Sequence, residues 1–247
     1  MLKNYRLKIQ YDGTRYRGWQ RLAGRDDTIQ GKIENVLSRL LDVPVQLDGA
    51  GRTDAGVHAR CQVANVHLAC GWKPAEMRQK LNEYLPEDIR ILEVSQAGER
   101  FHSRLNALAK VYEYHLLKEG CYDVFARKYS WQMTQTLDTG RMRRAAEYLT
   151  GEHDFRGFCT KASKKKSTVR RLDAIEIRET EDSVYLRFEG NGFLYNMVRI
   201  LTGTLVEIGA GKREPESIRD ILQQKERSLA GETAPAQGLT LLAVRYD

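Results

Sequence analysis

The sequence lacks the features of a membrane or secreted protein. No apolar run approaches the roughly 18 residues that a membrane span needs, and the opening MLKNYRLKIQYDG has no apolar core typical of a signal peptide. Cysteine is scarce, and none of the four cysteines shows the CxxC spacing of zinc or redox sites: Cys61, Cys70, Cys121 and Cys159. These absences predict a soluble cytoplasmic protein whose cysteines are reduced and mostly packed, and which binds no metal.

The chain carries an excess of positive charge. Its 247 residues include 40 Lys and Arg against 33 Asp and Glu, which gives a formal net charge of +7. The length suffices for one large domain or two small ones. A basic balance favours a polyanionic partner such as nucleic acid, although many basic proteins bind none.

Hydrophobic periodicity predicts an α+β pattern in the first part of the chain. Residues 5–11 alternate as a half-buried strand does, and the pattern breaks at Asp12 and Gly13. From Thr28, the predicted N-cap, apolar residues recur at helical spacing and predict a helix that ends before Pro44. Further strands are predicted near 43–47, 61–68 and 89–95, and a second helix is predicted from Pro74 to about Tyr84.

A similar order returns after residue 105. Strands are predicted near 111–117, 172–178 and 184–189, helices over 138–150, 193–208 and after Pro215, and a last strand at LTLLAVRY. Two split βαβ halves, 1–105 and 106–247, predict an α+β fold with antiparallel sheets, helices on one face and a cleft where the halves meet.

The segment GAGRTDAGVHA, residues 49–59, is the strongest local signal. Three glycines bracket Arg52, Thr53, Asp54 and His58 between two predicted strands. Glycine permits tight turns, and such a loop can project a carboxylate and a guanidinium. The alternative is an ordinary polar turn in which Asp54 hydrogen-bonds to the backbone.

This segment resembles the signature of the TruA family of tRNA pseudouridine synthases, in which the aspartate of GRTD is catalytic. Further blocks resemble the family in its order along nearly the whole chain: YDGTRYRGWQ, TIQG, LPEDI, FHSR, KVYEY, GEHDF, GFLYNMVRILTG and TAPAQGL. The resemblance implies a pseudouridine synthase fold with an active-site cleft. It also implies a cofactor-free isomerase that cuts the glycosidic bond of a uridine, turns the uracil and rejoins the ribose to carbon 5. The implied substrates are positions 38, 39 and 40 of the tRNA anticodon stem-loop, and the implied assembly is a homodimer.

The resemblance also implies roles for single residues. Asp54 corresponds to the catalytic residue, and Arg199 to the basic partner that would keep its carboxylate ionised in a cleft. Tyr112 corresponds to the active-site tyrosine that stacks on the uracil and assists proton removal from carbon 5. Arg52 corresponds to the arginine associated with the flipped nucleotide, and Leu239 to the apolar residue of the base pocket. Each of three residues also has an ordinary structural alternative: Arg199 as a snorkelling surface arginine, Tyr112 as a packed strand tyrosine and Leu239 as a buried leucine.

Basic residues scattered along the chain are candidate phosphate contacts. They are Lys8, Arg15, Arg17, Arg21, Lys164, Lys165, Arg170 and Arg171. The last four belong to KASKKKSTVRR, which is predicted to be a flexible loop and has a solvated surface segment as its alternative.

Other functions are possible from the same residues. The chain could be a non-catalytic RNA-binding protein, a paralogue that modifies other uridines, or a metal-dependent hydrolase using Asp54, which a chelator would inhibit. The histidines His58, His102 and His153 are predicted to make structural hydrogen bonds. The DTG triplet at Asp138 precedes a helix, unlike that of aspartic proteases, and the GAGK near residue 209 lacks the spacing of a P-loop.

Overall fold

The computed structural model describes residues 2–160 and 167–247. The chain divides into two compact units. Unit 1 runs up to Leu108 and also includes Thr240–Asp247, whereas unit 2 spans Ala109–Leu239. The predicted halves divide the chain at 105/106 and place 240–247 in the second half, whereas Thr240–Asp247 cluster with unit 1.

Unit 1 is built on three long antiparallel strands. Its elements are β1 (Lys3–Tyr11), α1 (Ile29–Leu41), β2 (Asp48–Gly49), β3 (His58–Leu68), α2 (Pro74–Tyr84) and β4 (Ile89–Gln96). β1 lies between β4 and β3 and pairs antiparallel with both, and β2 adds a short antiparallel pair on β3. The alternation predicted for β1 is present, since Tyr5, Leu7 and Ile9 are buried.

The helix α1 starts and stops as the sequence predicts. Thr28 has extended backbone angles, and its side chain accepts a hydrogen bond from the Gly31 N–H, as an N-cap does. The helix ends at Leu41, and the C-cap residue Asp42 has a left-handed φ of 53°. Its buried apolar face consists of Ile29, Ile33 and Leu37.

The strand predicted near 43–47 is wrong: residues 43–47, all of them described, form no strand, and pairing begins only at Asp48. Side chains of α1 accept hydrogen bonds from the backbone N–H groups that would otherwise pair with a neighbouring strand. The Val45 N–H donates to Ser38 Oγ at 2.9 Å, and the Leu47 N–H donates to Glu34 Oε1 at 2.9 Å.

Unit 2 contains a further set of mostly antiparallel strands. Its elements are β5 (Ala109–Leu117), β6 (Trp131–Gln132), α3 (Thr139–Leu149), β7 (Gly151–Asp154), β8 (Val169–Glu179), β9 (Ser183–Gly190), α4 (Met197–Gly209) and α5 (Ser217–Gln224). The strands lie in the order β5, β9, β8, β7 and pair antiparallel, while β6 adds a short parallel pair on β5. Helix α4 begins at Met197 rather than at Phe193, because Asn196 has a left-handed φ of 59°.

The last strand, β10 (Leu239–Arg245), brings the chain back to unit 1. Thr240 and Leu241 pair in parallel with His58 and Ala59 of β3. Beyond the strand, the Tyr246 hydroxyl donates to the Ser103 carbonyl at 2.6 Å.

The α+β class with mostly antiparallel strands is thus confirmed. Across the described ranges, no helix combines the length and the apolar character needed to cross a membrane. Cys159 is buried, the three other cysteines are partly exposed, and all four are free thiols.

Candidate active site

The loop that carries Asp54 connects β2 to β3 and packs against the segment that follows β1. Two glycines make this contact possible. A Cβ on Gly49 would lie 2.4 Å from Trp19 Nε1, and a Cβ on Gly18, whose φ is +92°, would lie 2.4 Å from the Thr53 carbonyl oxygen. The backbone N–H of Trp19 donates to the same Thr53 carbonyl oxygen at 3.1 Å. The backbone on the N-terminal side of Asp54 is therefore fixed.

The other side of Asp54 is fixed as well. The Val57 N–H donates to the Asp54 carbonyl at 3.2 Å, and the Gly56 N–H donates to the Tyr16 carbonyl at 3.2 Å. The buried His58 accepts a hydrogen bond at Nδ1 from the Gly13 N–H at 3.0 Å. His58 thus makes a structural hydrogen bond, as its sequence context predicts. Asp54 itself is half-buried.

Arg52 lies two residues before Asp54 and is exposed. Its Nε donates to Gln20 Oε1 at 2.9 Å, so the guanidinium is oriented by a neutral side chain. An exposed, oriented guanidinium of this kind can bind a phosphate or stack on a base.

In unit 2, Arg199 lies in the first turn of α4 and its guanidinium is anchored. Nε donates to the Ala234 carbonyl at 2.7 Å, and NH1 donates to Asn196 Oδ1 at 3.2 Å. The Arg199 carbonyl in turn accepts from the Ala234 N–H at 3.1 Å. This arrangement fixes the direction of a half-buried cation.

The segment that holds Arg199 is itself held by Tyr114 of β5. The Tyr114 hydroxyl donates to the Pro235 carbonyl at 2.6 Å. A Cβ on Gly238 would lie 2.5 Å from the Tyr114 ring, so glycine allows this close approach. Burial raises the pKa of Tyr114 above its ordinary value of 10.0, and the hydroxyl stays a donor.

Tyr112 and Leu239 are both buried, with 7% and 5% of their surfaces exposed. The Tyr112 ring meets the Phe193 ring edge-on, with ring centres 5.1 Å apart and planes at 83°. Phe193 was not predicted as a site residue, although it lies in the GFLYNMVRILTG block. Leu239 opens β10.

The predicted site residues fall in different units. Asp54 and Arg52 belong to unit 1, whereas Tyr112, Arg199 and Leu239 belong to unit 2. The pairing of Asp54 with Arg199 therefore joins residues of two units and stays a prediction.

Most of the candidate phosphate contacts already have acidic partners. The ion pairs are Lys8 with Glu93 at 2.7 Å, Arg15 with Asp88 at 2.6 Å, Arg17 with Asp27 at 3.1 Å, Arg21 with Glu34 at 2.9 Å and Arg171 with Asp173 at 2.7 Å. Lys8 lowers the pKa of Glu93 through its hydrogen bond.

Arg170 donates to the carbonyl of Val169 at 2.6 Å. Lys164 and Lys165 lie outside the described residues. Within the described ranges, no group of three or more His, Cys, Asp or Glu side chains is arranged to hold a metal ion.

Comparison with known proteins identifies the family. A family model described as tRNA pseudouridine synthase matches residues 8–106 and 145–247. The chain is 46% identical to tRNA pseudouridine synthase A of Bacillus sp. (strain KSM-64), over 99% of this chain and 100% of that protein. It is 42% identical to tRNA pseudouridine synthase A 2 of Clostridium tetani (strain Massachusetts / E88), over the full length of both chains.

Among solved structures, a chain of a Cbf5–Nop10–Gar1 complex aligns with a TM-score of 0.41 at 13% identity, over 96% of this chain and 48% of that chain. The family match and the full-length identities carry the assignment. The chain belongs to the tRNA pseudouridine synthase family.

Proposed function

We propose that this chain converts uridine to pseudouridine at positions 38, 39 and 40 of the tRNA anticodon stem-loop, with Asp54 as the catalytic nucleophile. Family membership makes the chain an isomerase acting on tRNA. The rigid setting of the GRTD loop is the observation that supports the role of Asp54. Its neighbours Thr53 and Val57 are both hydrogen-bonded through the backbone, so its carboxylate projects from a fixed point.

The reaction needs an ionised carboxylate, because only the charged form is a nucleophile. Desolvation in a cleft would raise the pKa of such a carboxyl group and silence it, whereas a nearby cation opposes that shift. Arg199 is our candidate for this cation. Its anchoring by Ala234 and Asn196 would present the guanidinium without further loss of side-chain entropy.

The target uridine must leave the RNA stack before Asp54 can reach it, which costs a few kcal/mol. Stacking on an aromatic ring can offset that cost. We assign the stacking ring and the assistance of proton removal at carbon 5 to Tyr112, the apolar wall of the base pocket to Leu239, and the holding of the flipped nucleotide to Arg52. The chemistry is isomerisation, so it consumes no cofactor.

We further propose that the enzyme works in the cytoplasm as a homodimer in which one tRNA contacts both subunits. Its phosphate contacts would be sequence-independent and weakened by salt. The candidates are Lys8, Arg15, Arg17, Arg21, Lys164, Lys165, Arg170 and Arg171. Those with acidic partners would have to exchange a carboxylate for a phosphate on binding.

The test is tritium release from tRNA labelled at carbon 5 of uridine. We expect the wild type to release tritium and Asp54→Asn to lose activity by a factor on the order of 10³ or more while still binding tRNA. Asp220→Asn in α5 removes the same charge at an exposed site and should leave the rate unchanged. Release by Asp54→Asn at the wild-type rate would refute the role of Asp54.

The choice of uridine is tested separately by mapping pseudouridine in total tRNA from a strain that lacks this gene. We expect pseudouridine at positions 38–40 to be absent and to return with the wild-type gene but not with the Asp54→Asn gene. Intact positions 38–40 with losses elsewhere would instead support a paralogue that modifies other uridines. Tight binding without any turnover would support an RNA-binding protein.

A further inference from the structure

Tyr11 is the last residue of β1, and its hydroxyl reaches the catalytic loop. The side chain is buried, with 3% of its surface exposed. Its hydroxyl lies 2.8 Å from the hydroxyl of Thr53, the residue directly before Asp54. Thr53 is also buried, with 6% exposed. The two hydroxyls therefore form a hydrogen bond shielded from water beside the proposed nucleophile.

A second side chain ties Tyr11 to the start of the same loop. Gln62 of β3 is fully buried, and its Nε2 donates to the Gly51 carbonyl at 3.0 Å. The Gln62 side chain also hydrogen-bonds to the Tyr11 hydroxyl. Its Oε1 accepts from the Val63 N–H at 3.1 Å, which fixes the amide in place. Gly51 and Thr53 are thus held by two side chains, Gln62 and Tyr11, that also contact each other.

The ring of Trp19 completes this cluster. The centre of the Trp19 ring lies 6.2 Å from that of the Tyr11 ring, and the backbone N–H of Trp19 donates to the Thr53 carbonyl. The backbone and the side chain of Thr53 are therefore both bound, the first by Trp19 and the second by Tyr11. Burial raises the pKa of Tyr11 well above its ordinary value of 10.0, so the phenol keeps its proton at working pH.

We infer that Tyr11 is a positioning residue for the reaction: its buried hydroxyl, through Thr53, holds the carboxylate of Asp54 in the geometry required for attack. This inference rests on the proposed function of Asp54. Tyr11 takes no part in the chemistry, since it acts only through Thr53. A loss of this hydrogen bond should lower the rate of the bound complex rather than the affinity for tRNA, because small displacements of a reacting group are costly.

The main test is the kinetics of Tyr11→Phe, which removes one oxygen and keeps the ring. We expect kcat to fall between about tenfold and a hundredfold, with KM within about twofold of the wild type. Tyr246→Phe is the matched control, because it removes another tyrosine hydroxyl in unit 1 that donates to a backbone carbonyl away from the loop. The control should keep the wild-type kcat. Equal kinetics of Tyr11→Phe and Tyr246→Phe would overturn the inference.

Thr53 provides the partner variants. Thr53→Ser keeps the hydroxyl and should keep most of the activity, whereas Thr53→Val removes it and should lower kcat as Tyr11→Phe does. The double variant Tyr11→Phe/Thr53→Val should lose no more than either single variant, because both act on one hydrogen bond. Additive losses would show that the two side chains act independently and would contradict the inference.

Amide hydrogen exchange tests the same inference without reference to catalysis. In Tyr11→Phe, the amides of Gly56 and Val57 should exchange at least about tenfold faster than in the wild type, while those of unit 2 stay unchanged. Tyr246→Phe should leave the loop amides as they are. Unaltered exchange in Tyr11→Phe would refute the positioning role, whether or not the wild type is active on tRNA. A wild type that is inactive on tRNA would refute only the proposed function.

Discussion

At the scale of single residues, Glu34 shows how one buried charge organises its surroundings. It lies on α1 with 1% of its surface exposed. It accepts hydrogen bonds from Gln30 Nε2 at 2.8 Å, from the Leu47 N–H at 2.9 Å and from Arg21 NH1 at 2.9 Å. A buried carboxylate is tolerated only when it is paired and hydrogen-bonded in this way.

We predict that Glu34→Ala lowers the free energy of unfolding by about 2–4 kcal/mol, because it leaves the donors of Gln30 and Leu47 buried without their acceptor. Urea denaturation measures this. The control Glu93→Ala breaks the exposed ion pair with Lys8 and should cost less than about 1 kcal/mol. Similar losses of unfolding free energy in Glu34→Ala and Glu93→Ala would contradict the prediction that burial makes the Glu34 hydrogen bonds more stabilising than an exposed ion pair.

The sequence was informative about single residues where a local pattern or a motif marked them. The N-cap Thr28 follows from local pattern, and the choice of Asp54 follows from the GRTD motif. Tyr11 opens the YDGTRYRGWQ block and Gln62 lies in a predicted strand, but neither position shows in the sequence that its side chain contacts the loop. Their importance arises from contacts with Thr53 and Gly51, which only the folded chain brings near.

At the scale of elements, periodicity located the long helices and strands, and apart from the start of α4 the errors lie in short elements. The strands β6 and β7 have two and four residues, too few to show a period. The apolar residues Val45 and Leu47 suggested a strand, yet side chains of α1 compete for its N–H groups. Propensity cannot reveal such competition, since it depends on tertiary contacts.

Asp154, at the end of β7, joins three elements of unit 2. Its carboxylate accepts from Thr168 Oγ1, just before β8, and from the Arg156 N–H, and it pairs with Lys225 after α5 at 3.0 Å. Burial alone would raise the pKa of Asp154, but the hydrogen bonds from Thr168 and Lys225 outweigh it and lower the pKa below the ordinary 3.8.

A lowered pKa in the folded state means that the unfolded chain binds the proton more readily. The stabilisation by Asp154 is therefore complete well above pH 3.8 and is lost as the pH falls through the pKa of the folded state. We predict that Asp154→Asn is less stable than the wild type at pH 7 and that the difference shrinks toward pH 3. Urea midpoints of both proteins at the two pH values measure it, and a difference independent of pH would contradict the prediction.

At the scale of the whole molecule, the net charge of +7 does not tell which of the basic residues are available to RNA. Arg17 is balanced by Asp27 at 3.1 Å, whereas Arg52 contacts the neutral Gln20. Each phosphate contact that releases a counterion adds about one unit to the slope of log K against log salt.

We therefore predict that Arg52→Gln lowers that slope for tRNA binding by about 1, while Arg17→Gln lowers it by much less. Binding measured at several salt concentrations gives both slopes. Equal slopes for Arg52→Gln and the wild type would exclude Arg52 as a phosphate contact. The Arg17→Gln variant controls for the general effect of removing one positive charge.

The sequence also could not predict which unit the last strand joins. An alternating apolar strand at LTLLAVRY is visible from its letters, but its partner is not. β10 pairs with β3 through Thr240 and Leu241, and β3 lies far away in sequence. Such pairing is decided by tertiary packing rather than by local composition.

This return of β10 to unit 1 has a consequence for biosynthesis. The strands β1, β3 and β4 leave the ribosome early, but the parallel partner of His58 and Ala59 is translated only near residue 240. Until then one side of β3 lacks this neighbour, and open strand edges invite association with other chains. We expect nascent chains to need protection by chaperones for most of translation, and a synonymous change that slows synthesis before residue 240 to increase aggregation.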